Sequence, residues 1–218
     1  NIKILDEKEG NWYHYYQPTD WTIGNNILGT EEEMKAMLDS AKKYDIRKSG
    51  TGNLGASNTM LLLGWGAGVL VGIHDIGKGI LAVLLAKWIF PNVEYGAVVA
   101  GAACILGHIF PFYLKFKGGK GLASYIGVLA GLDIRVAIAV SILLILVTLI
   151  TDYIVIGTMT TITTGPLALL FHQGWLVAVL LLVVSAVITI KHLENFRRLR
   201  KGTEPGLRNG SKGKYRVK

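Results

Sequence analysis

One cysteine, five prolines and a charged fraction of only 17% are what this 218-residue chain has little of. With Cys104 alone, an intrachain disulfide is excluded and thiol pairing says nothing about compartment. In its apolar setting Cys104 reads as a small buried hydrophobe. No apolar run follows Asn1, so no signal peptide is read there, and the start is expected to lie inside a longer product or to have been removed. A Walker A loop is also missing: Gly121 stands where Ser or Thr would follow Lys120, and the leading glycine spacing is absent. No basic-aromatic module accompanies the positive charge, which excludes nucleic acid as the expected partner. The sequon at Asn209 falls in a Lys- and Arg-rich tail and is read as chance.

What the chain has is apolar length. Hydrophobic residues make up 51% and mean hydropathy is +0.42. Beyond residue 60, runs of about 20 apolar residues recur, the length that crosses a hydrocarbon layer of roughly 30 Å. The fold class expected is therefore all-α, a polytopic integral membrane helical bundle. Its spans are read as Met60 to Phe90, broken or tilted at His74–Gly79; Gly96 to Leu114; and 134–150, 153–171 and 174–190. A half-spanning helix is expected over 122–131, too short to cross, and Pro166 is expected to kink its span. Residues 1–44 read as a soluble or interfacial segment, irregular and aromatic from Trp12 to Trp21, with a short helix over 30–43 opened by Thr30 and apolar at Met34, Met37, Leu38 and Ala41. Residues 45–205 form the membrane domain, and 206–218 a basic cytoplasmic tail.

The net charge of +8 gathers in three polar regions. The first, Asp45 to Asn58, is glycine-rich and lets backbone approach a ligand closely, though an ordinary connector reads equally well. The second, Lys117-Gly-Gly-Lys-Gly121, sets two ammonium groups beside small residues and a helix start. Such a loop seats phosphate or touches lipid headgroups. The third, Lys191 to Glu204, places His192 and Asn195 three apart on one helical face, while Arg197 to Lys201 read as a positive-inside anchor. Between the first two, Asp75 and Lys78 meet at helical spacing as a structural pair or a functional one. Counting crossings puts all three regions on one side, which the positive-inside rule makes cytoplasmic.

Taken in order, these motifs resemble the bacterial acyl-phosphate:glycerol-3-phosphate acyltransferase family, PlsY, over residues 45–205. The resemblance rests on Asp45-Ile-Arg-Lys with Gly50, Gly52-Asn53, Gly55-Ala56 and Asn58; on Gly107-His108, Phe110-Pro111 and Phe116 to Gly121; and on His192, Asn195 and Glu204. It implies transfer of a fatty acyl group from acyl phosphate to the 1-hydroxyl of sn-glycerol 3-phosphate, yielding lysophosphatidic acid and phosphate at the cytoplasmic face of a bacterial plasma membrane. No metal, coenzyme A or other cofactor is implied; the partners are the two substrates and the bilayer, with oligomeric state left open. By position, His108, Lys120, His192 and Asn195 would be catalytic. Thr51, Asn53, Ser57, Asn58, Asp75, Lys78, Lys117, Gly118, Gly119 and Gly121 would bind substrate. Gly118 to Gly121 would hold the donor phosphate, the first loop would hold the acceptor, and His108 would either assist proton transfer or fix the loop.

Three departures stand out. Thr51 replaces the family's usual serine and Leu61 stands where an arginine that binds the acceptor phosphate is expected. The family's first transmembrane helix, expected before Asp45, gives way to the 1–44 segment. The alternative reading is a retuned or inactive relative that binds a phospholipid or another acyl acceptor. A transporter, suggested only by Asp75 and Lys78, ranks behind it because no inverted repeat is evident.

Overall fold

The computed structural model describes residues 49–210, together with two short strands near the start. The chain divides into two units, Asn1–Asp45 and Ile46–Lys218. In the first, β1 (Ile2–Lys3) pairs antiparallel with β2 (Asp20–Ile23). Trp21 thus belongs to a strand, as suits the aromatic and β-branched run Trp21-Thr-Ile23, and not to an irregular segment. The rest of the aromatic stretch, the expected helix over 30–43, Arg47 and Lys48 lie outside the described residues.

The second unit is helical: α1 (Ala56–Leu63), α2 (Trp65–Ile89), α3 (Gly96–Ile109), a 3-10 turn (Phe112–Leu114), α4 (Leu122–Leu132), α5 (Ile134–Thr151), α6 (Ile154–Gln173), α7 (Trp175–Lys191), α8 (Leu193–Arg200) and the short α9 (Leu207–Gly210). Among the described residues α2, α5, α6 and the stretch Gly96–Leu114 are long and apolar enough to cross a bilayer, and α7 with α8, bent by 46°, brings the number to five if that pair is counted as one span. Large apolar side chains such as Leu70, Trp88, Ile138, Ile150 and Phe171 point outward, the arrangement for helices whose surroundings are lipid.

One expected break moves. No interruption occurs at His74–Gly79, where α2 is continuous. The chain breaks at Gly64 instead, at φ 93°, a conformation open to a residue without Cβ. Asp75 and Lys78 need no break because they neutralise each other along one helix face.

The eleven-residue α4 sits at the centre. Tyr125, Val128 and Leu129 are fully buried, and α4 packs against α2, α3, α5 and α6. Small residues permit this. A Cβ on Gly127 would strike the Ile76 backbone, and one on Gly131 would strike Val83, so α2 and α4 approach backbone to backbone. The C-terminal carbonyls of this buried half-helix still need donors: Lys87 Nζ donates to Gly131 O at 2.7 Å and Gln173 Nε2 to Leu132 O at 3.0 Å. The N-terminus of α4 is left pointing to the other end of the bundle.

Many hydroxyls within the spans find partners in the same way, although Thr148 Oγ1 of α5 and Ser124 Oγ of α4 are buried without one among the described residues. In α6, Thr158, Thr160, Thr161, Thr163 and Thr164 each donate to the carbonyl four residues back, at 2.8 to 3.1 Å. Pro166 lies inside α6, which runs on through it. Proline leaves the Ile162 carbonyl without its usual donor, and Ser185 of α7 supplies one at 2.8 Å.

Candidate active site

The loop before α1 is shaped by Asn58. Its buried amide accepts from Thr51 N at 2.8 Å and donates to Ser49 O at 3.2 Å. Gly50 and Gly52 take positive φ so that the chain can wrap this side chain, and a Cβ on Gly50 would run into Asn58 Oδ1. The wrapping leaves Thr51, Asn53 and Ser57 on the wall of a cavity of about 220 Å³. Asn58, assigned to substrate from sequence, stands behind that wall as its scaffold and does not line the cavity.

The second loop begins where Pro111 ends α3. Gly118 N donates to Ile109 O and Gly119 N to His108 O, both at 3.1 Å, tying the loop back onto the end of α3. A Cβ on Gly118 would overlap the His108 carbonyl, and one on Gly119 would overlap His108 Nε2 and approach Leu54 O. These two glycines, expected to present N–H groups to phosphate, instead use them on backbone carbonyls. Their small size lets the second loop close onto His108 and the first loop. Lys117 is exposed and outside the cavity wall. Lys120 and Gly121 do reach the cavity, and Gly121, at φ 95°, turns the chain into α4. No side chain caps the first turn of α4, whose residues Leu122 and Ala123 also line the cavity. Uncapped helix amides beside an ammonium group favour an anion.

The third region closes the site. His192 lies at the bend between α7 and α8, is 5% exposed, and its Nδ1 is 2.8 Å from Ile188 O. A carbonyl can only accept, so Nδ1 carries the hydrogen and Nε2 is left as the free ring nitrogen. Lys120 Nζ donates to Asn195 Oδ1. Asn195 Nδ2 in turn donates to Glu204 Oε1 at 2.5 Å, and Arg198 Nε to Glu204 Oε2 at 2.7 Å. Burial, reinforced by Arg198, lowers the Lys120 pKa to about 8. His192, Asn195 and Glu204 all line the cavity.

Asp75 and His108 border the same cavity from α2 and α3. Lys78 does not; its Nζ lies 2.5 Å from Asp75 Oδ1 and 2.6 Å from His108 Nδ1. Lys78 thus meets its neighbours and not the cavity, unlike the substrate contact expected from sequence. Among the described residues, no group of three or more His, Cys, Asp or Glu side chains gathers as a metal site would.

Nine of the fourteen sequence-assigned residues therefore border one cavity: Thr51, Asn53, Ser57, Asp75, His108, Lys120, Gly121, His192 and Asn195. Sequence reasoning missed Arg198, set aside as a membrane anchor. Its side chain is 20% exposed and pairs with both Glu194 and Glu204. The signal was present, since Glu194 lies four residues earlier on the same helical face. Also missed was the apolar wall of Met60, Trp65, Ile126, Ile154 and Val155, which chain separation hides.

A helical membrane bundle with a glycine-framed recess, Lys120 beside an uncapped helix start and an apolar wall is a site suited to an anionic, chain-bearing ligand. A family model described as glycerol-3-phosphate acyltransferase matches residues 34–202. The chain belongs to that family. It is 39% identical over 187 residues to a glycerol-3-phosphate acyltransferase of Mesorhizobium japonicum, covering 86% of this chain and 93% of the relative. It is also 39% identical over 194 residues to one of Desulfovibrio desulfuricans, covering 88% and 86%. Among solved structures it resembles PlsY, an integral membrane glycerol 3-phosphate acyltransferase, in its glycerol 3-phosphate form. The TM-score is 0.70 at 30% identity, with 80% of this chain and 88% of that one covered. The lysophosphatidic acid form of PlsY gives 0.67 at 30% identity, covering 78% and 85%.

Proposed function

We propose that this protein transfers a fatty acyl group from acyl phosphate to the 1-hydroxyl of sn-glycerol 3-phosphate, releasing lysophosphatidic acid and inorganic phosphate. The observation that carries this reading is the Lys120–Asn195 contact at the mouth of the apolar-walled cavity. It joins an anion seat, an acyl-sized wall and the helix end bearing His192. Family membership supports the acceptor and product. The donor is inferred from chemistry: a phosphate headgroup fits the uncapped start of α4, and burying each methylene of its chain contributes about 0.8 kcal/mol.

In this reading Lys120, Gly121 and the first turn of α4 hold the donor phosphate and stabilise charge growing on the carbonyl oxygen and the leaving group. Thr51, Asn53 and Ser57 hold the acceptor, while His192 and Asn195 orient the reactants. The acceptor oxygen forms its bond to the carbonyl carbon and the bond from that carbon to the phosphate oxygen breaks. The hydroxyl proton leaves on the departing phosphate. The mixed anhydride supplies the activation.

We assign the site to the cytoplasmic face of a bacterial plasma membrane, a side that the basic loops and the positive-inside rule support. Residues 1–44 are assigned to a separate N-terminal segment, 45–205 to the acyltransferase domain and 206–218 to a basic tail. Detergent-purified protein given palmitoyl phosphate and labelled glycerol 3-phosphate should make lysophosphatidic acid; a folded sample that makes none would overturn the proposal. A second reading, a relative retuned to another acyl acceptor, is favoured by Leu61, an apolar side chain on the acceptor wall.

A further inference from the structure

The Asp75–Lys78–His108 cluster has no assigned task in the steps above, although it sets three ionisable groups inside membrane helices, where a charged side chain costs roughly 2.5 kcal/mol or more at the bilayer centre. Lys78 Nζ contacts both Asp75 Oδ1 and His108 Nδ1, at 2.5 and 2.6 Å. Lys78 and Asp75 form an ion pair, and an ammonium has donors only. Asp75 Oδ1 also lies 3.4 Å from His108 Nδ1, a longer contact than the 2.6 Å one to Lys78 Nζ, and the nearer donor leaves Nδ1 as the acceptor and the ring hydrogen on Nε2. The Nε2 edge lies against Gly119, beside Leu54 O, on the side where the second loop meets the first and His108 borders the cavity.

We infer that Lys78, held by Asp75, is a positioning residue that locks His108 as an Nε2–H hydrogen-bond donor. A ring fixed in this state has no free lone pair to collect the acceptor proton. His108 offers a donor at the loop junction, and His192, with its hydrogen on Nδ1, offers an acceptor at the bend between α7 and α8. The two histidines thus hold opposite tautomers in the lining of one cavity, each set by a partner outside it. This rests on the acyltransfer reading only for its kinetic consequence, since the tautomer is a property of the resting protein.

The test is nitrogen-15 NMR of protein labelled at histidine, with the His108 signal assigned by its loss in His108→Gln. The expected spectrum of the unsubstituted protein shows neutral His108 protonated at Nε2, and Lys78→Arg keeps it. In Lys78→Met the signal shifts to a mixture of tautomers, and kcat for acyl transfer falls at least tenfold while the KM values stay within about threefold. A hydrogen on Nδ1 in the unsubstituted protein overturns the inference. So does an unchanged His108 tautomer in folded Lys78→Met. If Lys78→Met does not fold, the unsubstituted spectrum decides alone. A protein with no acyltransferase activity but a locked Nε2–H tautomer would refute the proposed reaction and leave this inference standing.

Discussion

Lys120 Nζ donates to Asn195 Oδ1 across 75 residues of chain. The contact joins the start of the central half-helix to α8, just past its bend from α7, and Glu204 fixes its geometry by accepting from the other end of the Asn195 amide. An amide held at both ends cannot flip, so the Lys120 ammonium is aimed and not merely present.

Buried charge at Lys120 makes activity pH-sensitive. Its pKa is lowered to about 8, so the ammonium fraction falls as pH rises through that value. Acyl transfer measured as kcat/KM for the donor should decline about tenfold per pH unit above 8. Lys120→Arg retains charge throughout this range. It should therefore lose the alkaline decline even where its absolute rate is lower. Lys120→Ala should lose at least a hundredfold in kcat/KM.

Leu61 offers no hydrogen bond to an anionic acceptor. Leu61→Arg would add a charge-assisted contact of roughly 1.5 to 3 kcal/mol, lowering the KM for glycerol 3-phosphate by about ten- to a hundredfold. An unchanged KM in saturation kinetics would place the acceptor phosphate away from α1.

Closure of the second loop depends on the bare Cα of Gly119. Gly119→Ala would drive a methyl group into His108 Nε2 and toward Leu54 O, so the loop must move off His108. The expected result is at least a tenfold loss of kcat/KM. Thermal unfolding of the purified protein should shift less than in a core deletion, since α4 keeps its packing.

Ser185 and Pro166 form a testable pair. Ser185→Ala leaves the Ile162 carbonyl without a donor inside the bundle, at a cost of about 1 to 3 kcal/mol. Pro166→Ala restores the helix N–H that normally serves that carbonyl. In a double-mutant cycle followed by unfolding, Ser185→Ala should therefore cost less in the Pro166→Ala background than alone.

Much of this protein was legible in its residues. Run length against bilayer thickness separated the spans, and the shortness of 122–131 marked a half-helix, which the structure shows as α4 over Leu122–Leu132. Glycine, histidine and lysine at the polar turns marked the site. Local pattern misplaced the break in α2, because an ion pair satisfied by a third group on α3 leaves no sign of that satisfaction in the sequence of α2. It also assigned phosphate to the Gly118 and Gly119 amides, since sequence does not say which carbonyl an N–H will find.

Sequence by itself thus determined membrane residence, the order of the apolar helices and the chemical character of three polar turns, because those follow from hydrophobic length and residue type. Only the tertiary structure decided which polar groups face the cavity and which face each other. Asn58, Lys78, Gly118 and Gly119 turned away from it to hold neighbours in place, while Lys120 turned in. Buried donors and acceptors favour pairing, and which partner each took depended on how the chain wrapped, from Asn58 holding Thr51 nearby to Lys120 reaching Asn195 on α8.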